Sequence, residues 1–126
     1  MDEPMQVILV VEDEALLRIA ISEFLRLSGC AVIEAATAAE AMAKLDAGIS
    51  VDVLFSDGGL PGGMNGLDLA SCLKQRCPAL PVVLTSGYGA SVSRSAFELV
   101  GAERFLPKPY RAEEAAQRLR ALARER

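Results

Sequence analysis

Five short apolar runs alternating with five segments of helical periodicity predict a doubly wound α/β sandwich, a parallel five-stranded sheet with helices on both faces. The runs span residues 7–11, 31–33, 51–55, 81–84 and 104–106, each rich in branched or aromatic residues and too short for a helix. The first, third and fourth are almost continuously hydrophobic, which marks strands covered on both sides. Parallel neighbours need crossovers of about a dozen residues or more, and right-handed ones dominate.

The elements follow in order. After the first strand, Leu17, Ile21, Phe24 and Leu25 form an inward helical face that Ser28-Gly29 closes. Ala38, Ala41, Met42 and Leu45 form a second face, closed by Ala47-Gly48. The third helix runs from Gly66 to Gln75 with Ala70 and Leu73 inward, and Cys77-Pro78 stops it. Val92, Ala96, Leu99 and Val100 repeat at i, i+4, i+7 and i+8 before Gly101. Ala112, Ala115, Ala116, Leu119, Leu122 and Ala123 give the clearest stripe. That Ala-rich face reads as core against the sheet.

The chain has 126 residues, enough for one domain over residues 1–126, and its 52% hydrophobic content supports a packed core. Having no His removes the base of Ser-His-Asp or Cys-His chemistry and the usual zinc ligand. Cys30, Cys72 and Cys77 contain no Cys-x-x-Cys and read as small buried hydrophobes in a reducing compartment. A net charge of −4 gives no general footprint for nucleic acid. The Arg-rich end, with Arg111, Arg118, Arg120, Arg124 and Arg126 among acidic residues, reads as a solvated helix face. The acidic start, Met1-Asp2-Glu3-Pro4, is unlike a secretory signal, and no apolar stretch approaches a membrane span, so a cytoplasmic location is expected.

In open parallel sheets the reactive crevice lies beyond the carboxyl ends of the strands. Glu12 and Asp13 follow the first run, Asp57 the third, Thr85-Ser86 the fourth and Lys108-Pro109 the fifth. Taken singly, each has an ordinary reading: Glu12 or Asp13 as a helix cap, Asp57 as the start of a Gly-rich turn. Taken together, carboxylates gathered in one crevice repel one another unless a cation neutralises them. Oxygen-only ligands favour Mg²⁺, whose open coordination positions suit a phosphoryl group. Lys108 then offers a point charge and Thr85 a hydroxyl to phosphoryl oxygens, with Asp57 as the acceptor.

These residues resemble the receiver domain of two-component response regulators. The likeness spans essentially the whole chain: Val11-Glu12-Asp13-Glu14, Asp57 with Leu60-Pro61 and Gly66, Thr85-Ser86-Gly87-Tyr88, and Lys108-Pro109. It implies a flavodoxin-like (βα)5 sheet of strand order 2-1-3-4-5. It further implies that Glu12, Asp13, Asp57 and the Gly59 carbonyl hold Mg²⁺, and that Asp57 is phosphorylated with Thr85 and Lys108 as its helpers. Thr85 and Phe105 would form the switch, although Phe105 also fits ordinary core packing, and the bond before Pro109 would be cis. The sequence departs from the family at Gly58-Gly59 and in a Pro61-to-Gly66 stretch one residue longer than usual. These glycines read first as turn formers; their ordering entropy also bears on metal affinity and phosphoryl lifetime.

The resemblance implies a phosphohistidine donor, either a sensor histidine kinase or a histidine phosphotransfer protein. The output would be altered binding of a protein partner at the helix 4–strand 5–helix 5 face, and a homodimer through the fourth and fifth helices is a family option. The chain would catalyse its own modification rather than turn over an external substrate. Because the sequence stops after the last helical stripe, no attached output domain and no direct nucleic-acid contact are expected. Three alternatives stay open: a receiver excised from a hybrid sensor kinase, a phosphorylation-independent scaffold, and a haloacid-dehalogenase-like phosphatase. The last needs Asp-x-Asp after the first strand, where this chain has Glu12-Asp13.

Overall fold

The computed structural model describes residues 5–60, 62–86, 90–101 and 104–125. Ten elements alternate strictly: β1 (Val7–Val11), α1 (Ala15–Leu27), β2 (Ala31–Ala35), α2 (Ala38–Asp46), β3 (Val53–Asp57), α3 (Gly66–Arg76), β4 (Val82–Ser86), α4 (Ala90–Val100), β5 (Phe105–Pro107) and α5 (Ala112–Arg124). All strand pairings are parallel, and the order is β2-β1-β3-β4-β5.

Side-chain alternation divides each central strand between two cores. Leu9, Val11, Leu54, Val82 and Leu84 pack under α2, α3 and α4, which contribute Ala38, Ala41, Leu69, Leu73 and Ala96. Ile8, Val10, Val53, Phe55 and Val83 face the other way, onto Ile21 and Leu25 of α1 and the Ala115–Ala123 stripe of α5. The three strands predicted to be covered on both faces are the three central ones, and β3 and β4 are buried at every position.

Several boundaries move. β2 runs on through Glu34 to Ala35, and β3 begins at Val53 and ends at Asp57 rather than spanning 51–55. β4 includes Thr85 and Ser86, while β5 is shifted to Phe105–Pro107. The common reason is that a ladder partner extends a strand into polar residues: Asp57 stands opposite Thr85, and Ser86 opposite Pro107. Phe24, expected inward, is 39% exposed. Cys30 is buried, but Cys72 is only half-buried and Cys77 is exposed at the end of α3. Gly29, Gly48 and Gly101 take positive φ just past their helices, as their positions predict. The Met1-Asp2-Glu3-Pro4 leader, Pro61, Gly87, Tyr88, Arg126 and the Val92 side chain lie outside the described residues. No helix among the described residues is long and apolar enough to cross a membrane.

Candidate functional site

Register brings the predicted residues to one sheet edge. Val11 pairs with Ser56 and Asp57 with Thr85, so Glu12 leaves β1 beside the Asp57 end of β3. Leu106 pairs with Thr85, and Lys108 follows two residues later, its own N–H donating to the Ser86 carbonyl at 3.2 Å. Lys108 Nζ lies 2.8 Å from Asp57 Oδ2 and 3.2 Å from Glu12 Oε1. The other oxygen, Asp57 Oδ1, accepts the Gly59 N–H at 2.9 Å.

Glu12 and Asp57 are fully buried, whereas Asp13 is exposed. Each of the three carboxylates offers an oxygen within 4.8 Å of the others. Three hard oxygens so close, two of them on buried residues, form a donor set suited to a small dication. Thr85 is fully buried, and its Oγ1 has no hydrogen-bond partner among the described residues. A buried hydroxyl without a partner costs stability. At this sheet edge it is an available donor.

The electrostatics follow from burial and crowding. Burial, reinforced by Asp13 and Asp57, pushes the Glu12 carboxyl up to about 7, against the opposing Glu14 N–H and Lys108 charge. The N–H of Glu14 donates to Glu12 Oε2 at 3.1 Å. Glu14, not Glu12 or Asp13, is the N-cap residue of α1, and its side chain makes no cap hydrogen bond, so the Glu12 contact ties the turn before the helix and does not cap it. For Lys108, burial would lower the pKa, but the Asp57 hydrogen bond and the charges of Asp57 and Glu12 raise it overall. The ammonium stays charged. Burial and the charges of Glu12, Asp57 and Glu14 push the Tyr110 phenol up too; its ring meets Phe55 edge-on at 6.0 Å.

The Lys108–Pro109 bond is cis, as the resemblance implies. Phe105 is half-buried and packs against the α2–α3–α4 core. The α3 start is held by a capping box: the Asp68 N–H donates to Asn65 Oδ1 at 2.9 Å and the Asn65 N–H to Asp68 Oδ2 at 3.2 Å. That fixes where α3 approaches the back of Asp57.

Sequence reasoning passed over Arg18 and Glu34. Arg18 Nη1 donates to the Glu12 carbonyl at 2.8 Å, and its Nε lies 3.3 Å from Glu34 Oε1. The available signal was a carboxylate at the end of an apolar run with a basic residue on the preceding helix.

A parallel sheet with an acidic pocket and a lysine at its carboxyl edge defines the class of CheY-like α/β domains. The chain belongs to the response regulator receiver domain family, whose model matches residues 8–120. Among curated relatives, it is 33% identical over 120 residues to the transcriptional regulatory protein CpxR of Escherichia coli (strain K12), covering 95% of this chain and 50% of that protein. It is 36% identical over 117 residues to the probable transcriptional regulatory protein TcrX of Mycobacterium tuberculosis, covering 93% and 49% respectively. The chain therefore spans about half the length of these relatives. Among solved structures, the non-phosphorylated HemR receiver domain from Leptospira biflexa is 34% identical, with TM-score 0.78 and 94% of each chain covered. A CheY-like receiver domain from Methanospirillum hungatei JF-1 shares the fold at TM-score 0.82 and 24% identity, covering 97% of this chain and 96% of that one.

Proposed function

We propose that this receiver domain accepts a phosphoryl group on Asp57 from a phosphohistidine, carried by a sensor histidine kinase or a histidine phosphotransfer protein, with Mg²⁺ as cofactor. The observation that carries this reading is the convergence of Glu12, Asp13 and Asp57 around the Lys108 ammonium. An oxygen of Asp57 attacks phosphorus, the P–N bond of the donor breaks, and its electron pair returns to the imidazole, which takes up a proton. Lys108, already 2.8 Å from Asp57, stays with the phosphoryl oxygens and offsets their charge. The Thr85 hydroxyl, which has no partner among the described residues, donates to another of them. Glu12, Asp13, Asp57 and the Gly59 carbonyl are the proposed metal ligands; the ion's contribution is to neutralise charge on the transferring group.

The charge added at Asp57 engages Thr85, and Phe105 on the adjoining strand passes the change to the α4–β5–α5 face, where a protein partner or a second copy binds. The pairing of Leu106, next to Phe105, with Thr85 supports that route. The experiment is incubation with acetyl phosphate and Mg²⁺, followed by intact mass. The wild type gains one phosphoryl group, and Asp57→Asn and magnesium-free samples do not. A chain that gains none under any donor would instead be a phosphorylation-independent scaffold.

A further inference from the structure

We infer that Arg18 is a positioning residue for the acidic pair, acting through the Glu12 carbonyl and anchored by Glu34 on the sheet edge. The inference rests on the proposed role of Glu12 and Asp13 as metal ligands and extends it to a residue that touches neither carboxylate.

The geometry is specific. The oxygen that Arg18 binds belongs to the peptide linking Glu12 to Asp13, so holding it fixes the rotation that aims the Asp13 side chain. The rest of Glu12 is already tied. Its N–H donates to the Ala35 carbonyl at 3.0 Å, and its carboxylate meets the Glu14 N–H and Lys108. The Glu12 carbonyl precedes α1, near whose start the Arg18 N–H donates to the Glu14 carbonyl at 2.9 Å. The Arg18 side chain reaches back past that turn to claim it.

Arg18 is itself held. Glu34 takes its Nε through Oε1, and takes Arg26 Nη2 through Oε2 at 3.2 Å. The guanidinium fork suits this task, because it presents donors to a carbonyl and a carboxylate at once. Arg18 is 19% exposed and Glu34 28%, so water competes less for this pair than for the half-exposed Arg26. Outer-shell partners of metal ligands typically govern affinity by about 10–100-fold.

The test compares Arg18→Gln, Arg18→Lys, Glu34→Gln and Arg26→Gln by Mg²⁺ calorimetry, thermal midpoint and the carboxyl carbon resonance of Asp13 in metal-free protein. Arg18→Gln is expected to weaken Mg²⁺ about tenfold and to shift the Asp13 resonance. Arg18→Lys restores part of the affinity, since an ammonium can reach the carbonyl but lacks the fork. Glu34→Gln, a mild change that keeps the fold, costs severalfold, while Arg26→Gln leaves both readouts at wild type. A lowered midpoint with unchanged affinity and an unmoved Asp13 resonance in Arg18→Gln would overturn the inference. If the wild type binds no Mg²⁺, the metal reading fails by itself. The Asp13 resonance then decides: a shift in Arg18→Gln but not in Arg26→Gln supports positioning, and no shift refutes it.

Discussion

Gly66 shows how closely the backbone crowds the acceptor. A Cβ built there would stand 1.8 Å from the Asp57 carbonyl oxygen and 2.6 Å from its carbon, so no rotamer change relieves the clash. Gly66→Ala is expected to cost at least the ~1–3 kcal/mol of overpacking and to displace Asp57, measurable by urea denaturation together with phosphoryl uptake. Gly58 is the contrast. A Cβ there meets the Thr85 carbonyl at 3.5 Å and Leu67 at 3.6 Å, which is ordinary contact. Gly58→Ala should therefore change stability by no more than about 0.5–1 kcal/mol. Crowding at the Cβ position therefore does not force the departure from the family at position 58. At this scale the acidic residues and Lys108 were legible, since each lies within two residues of the end of an apolar run. Arg18 was not, because its partner Glu34 lies on another element and only the fold brings them together.

At the scale of elements, helix faces were read well where the stripe is buried on the sheet, as in α5, and less well in α1. Leu16 and Leu27 are 85% and 86% exposed, so α1 carries apolar residues on two sides and periodicity alone cannot say which side packs. Strand ends were misread for a different reason. Apolarity marks burial, but the hydrogen-bonding ladder decides where a strand stops, and it carries β3 to Asp57 and β4 to Ser86. β2 continues through Glu34, which pairs with Val10 of β1, while Arg18 and Arg26 neutralise its carboxylate. These shifts matter for function, since they place Asp57 and Thr85 within paired backbone rather than in loops.

For the molecule as a whole, the acidic pocket sets a pH dependence of stability. The Glu12 carboxyl sits at about 7 in the fold against an ordinary 4.5, so the folded state binds this proton more tightly than the unfolded chain does. The resulting stabilisation is complete below pH 4.5 and is lost as pH rises through about 7. Mg²⁺ acts in the opposite direction: it competes with that proton and binds only the folded site, so its stabilising effect grows over the same range. Thermal midpoints from pH 4.5 to 8, with and without Mg²⁺, check both signs. Glu12→Gln should remove this group's share of the metal-free slope, and a magnesium effect of equal size at every pH would contradict the assignment. The doubly wound parallel sheet was foreseeable at this scale from five repeats of one alternation, whereas its order, β2-β1-β3-β4-β5, was foreseeable only through the family resemblance.

In the proposed reaction Asp57, and no other carboxylate of the cluster, carries the phosphoryl group. Borohydride reduces an acyl phosphate to the alcohol, so treating the phosphodonor-incubated protein and mapping its peptides by mass marks the acceptor permanently. Homoserine is expected at position 57, and only in samples that contained Mg²⁺. Reduction at Glu12 or Asp13, or labelling at 57 that is indifferent to magnesium, would contradict that assignment.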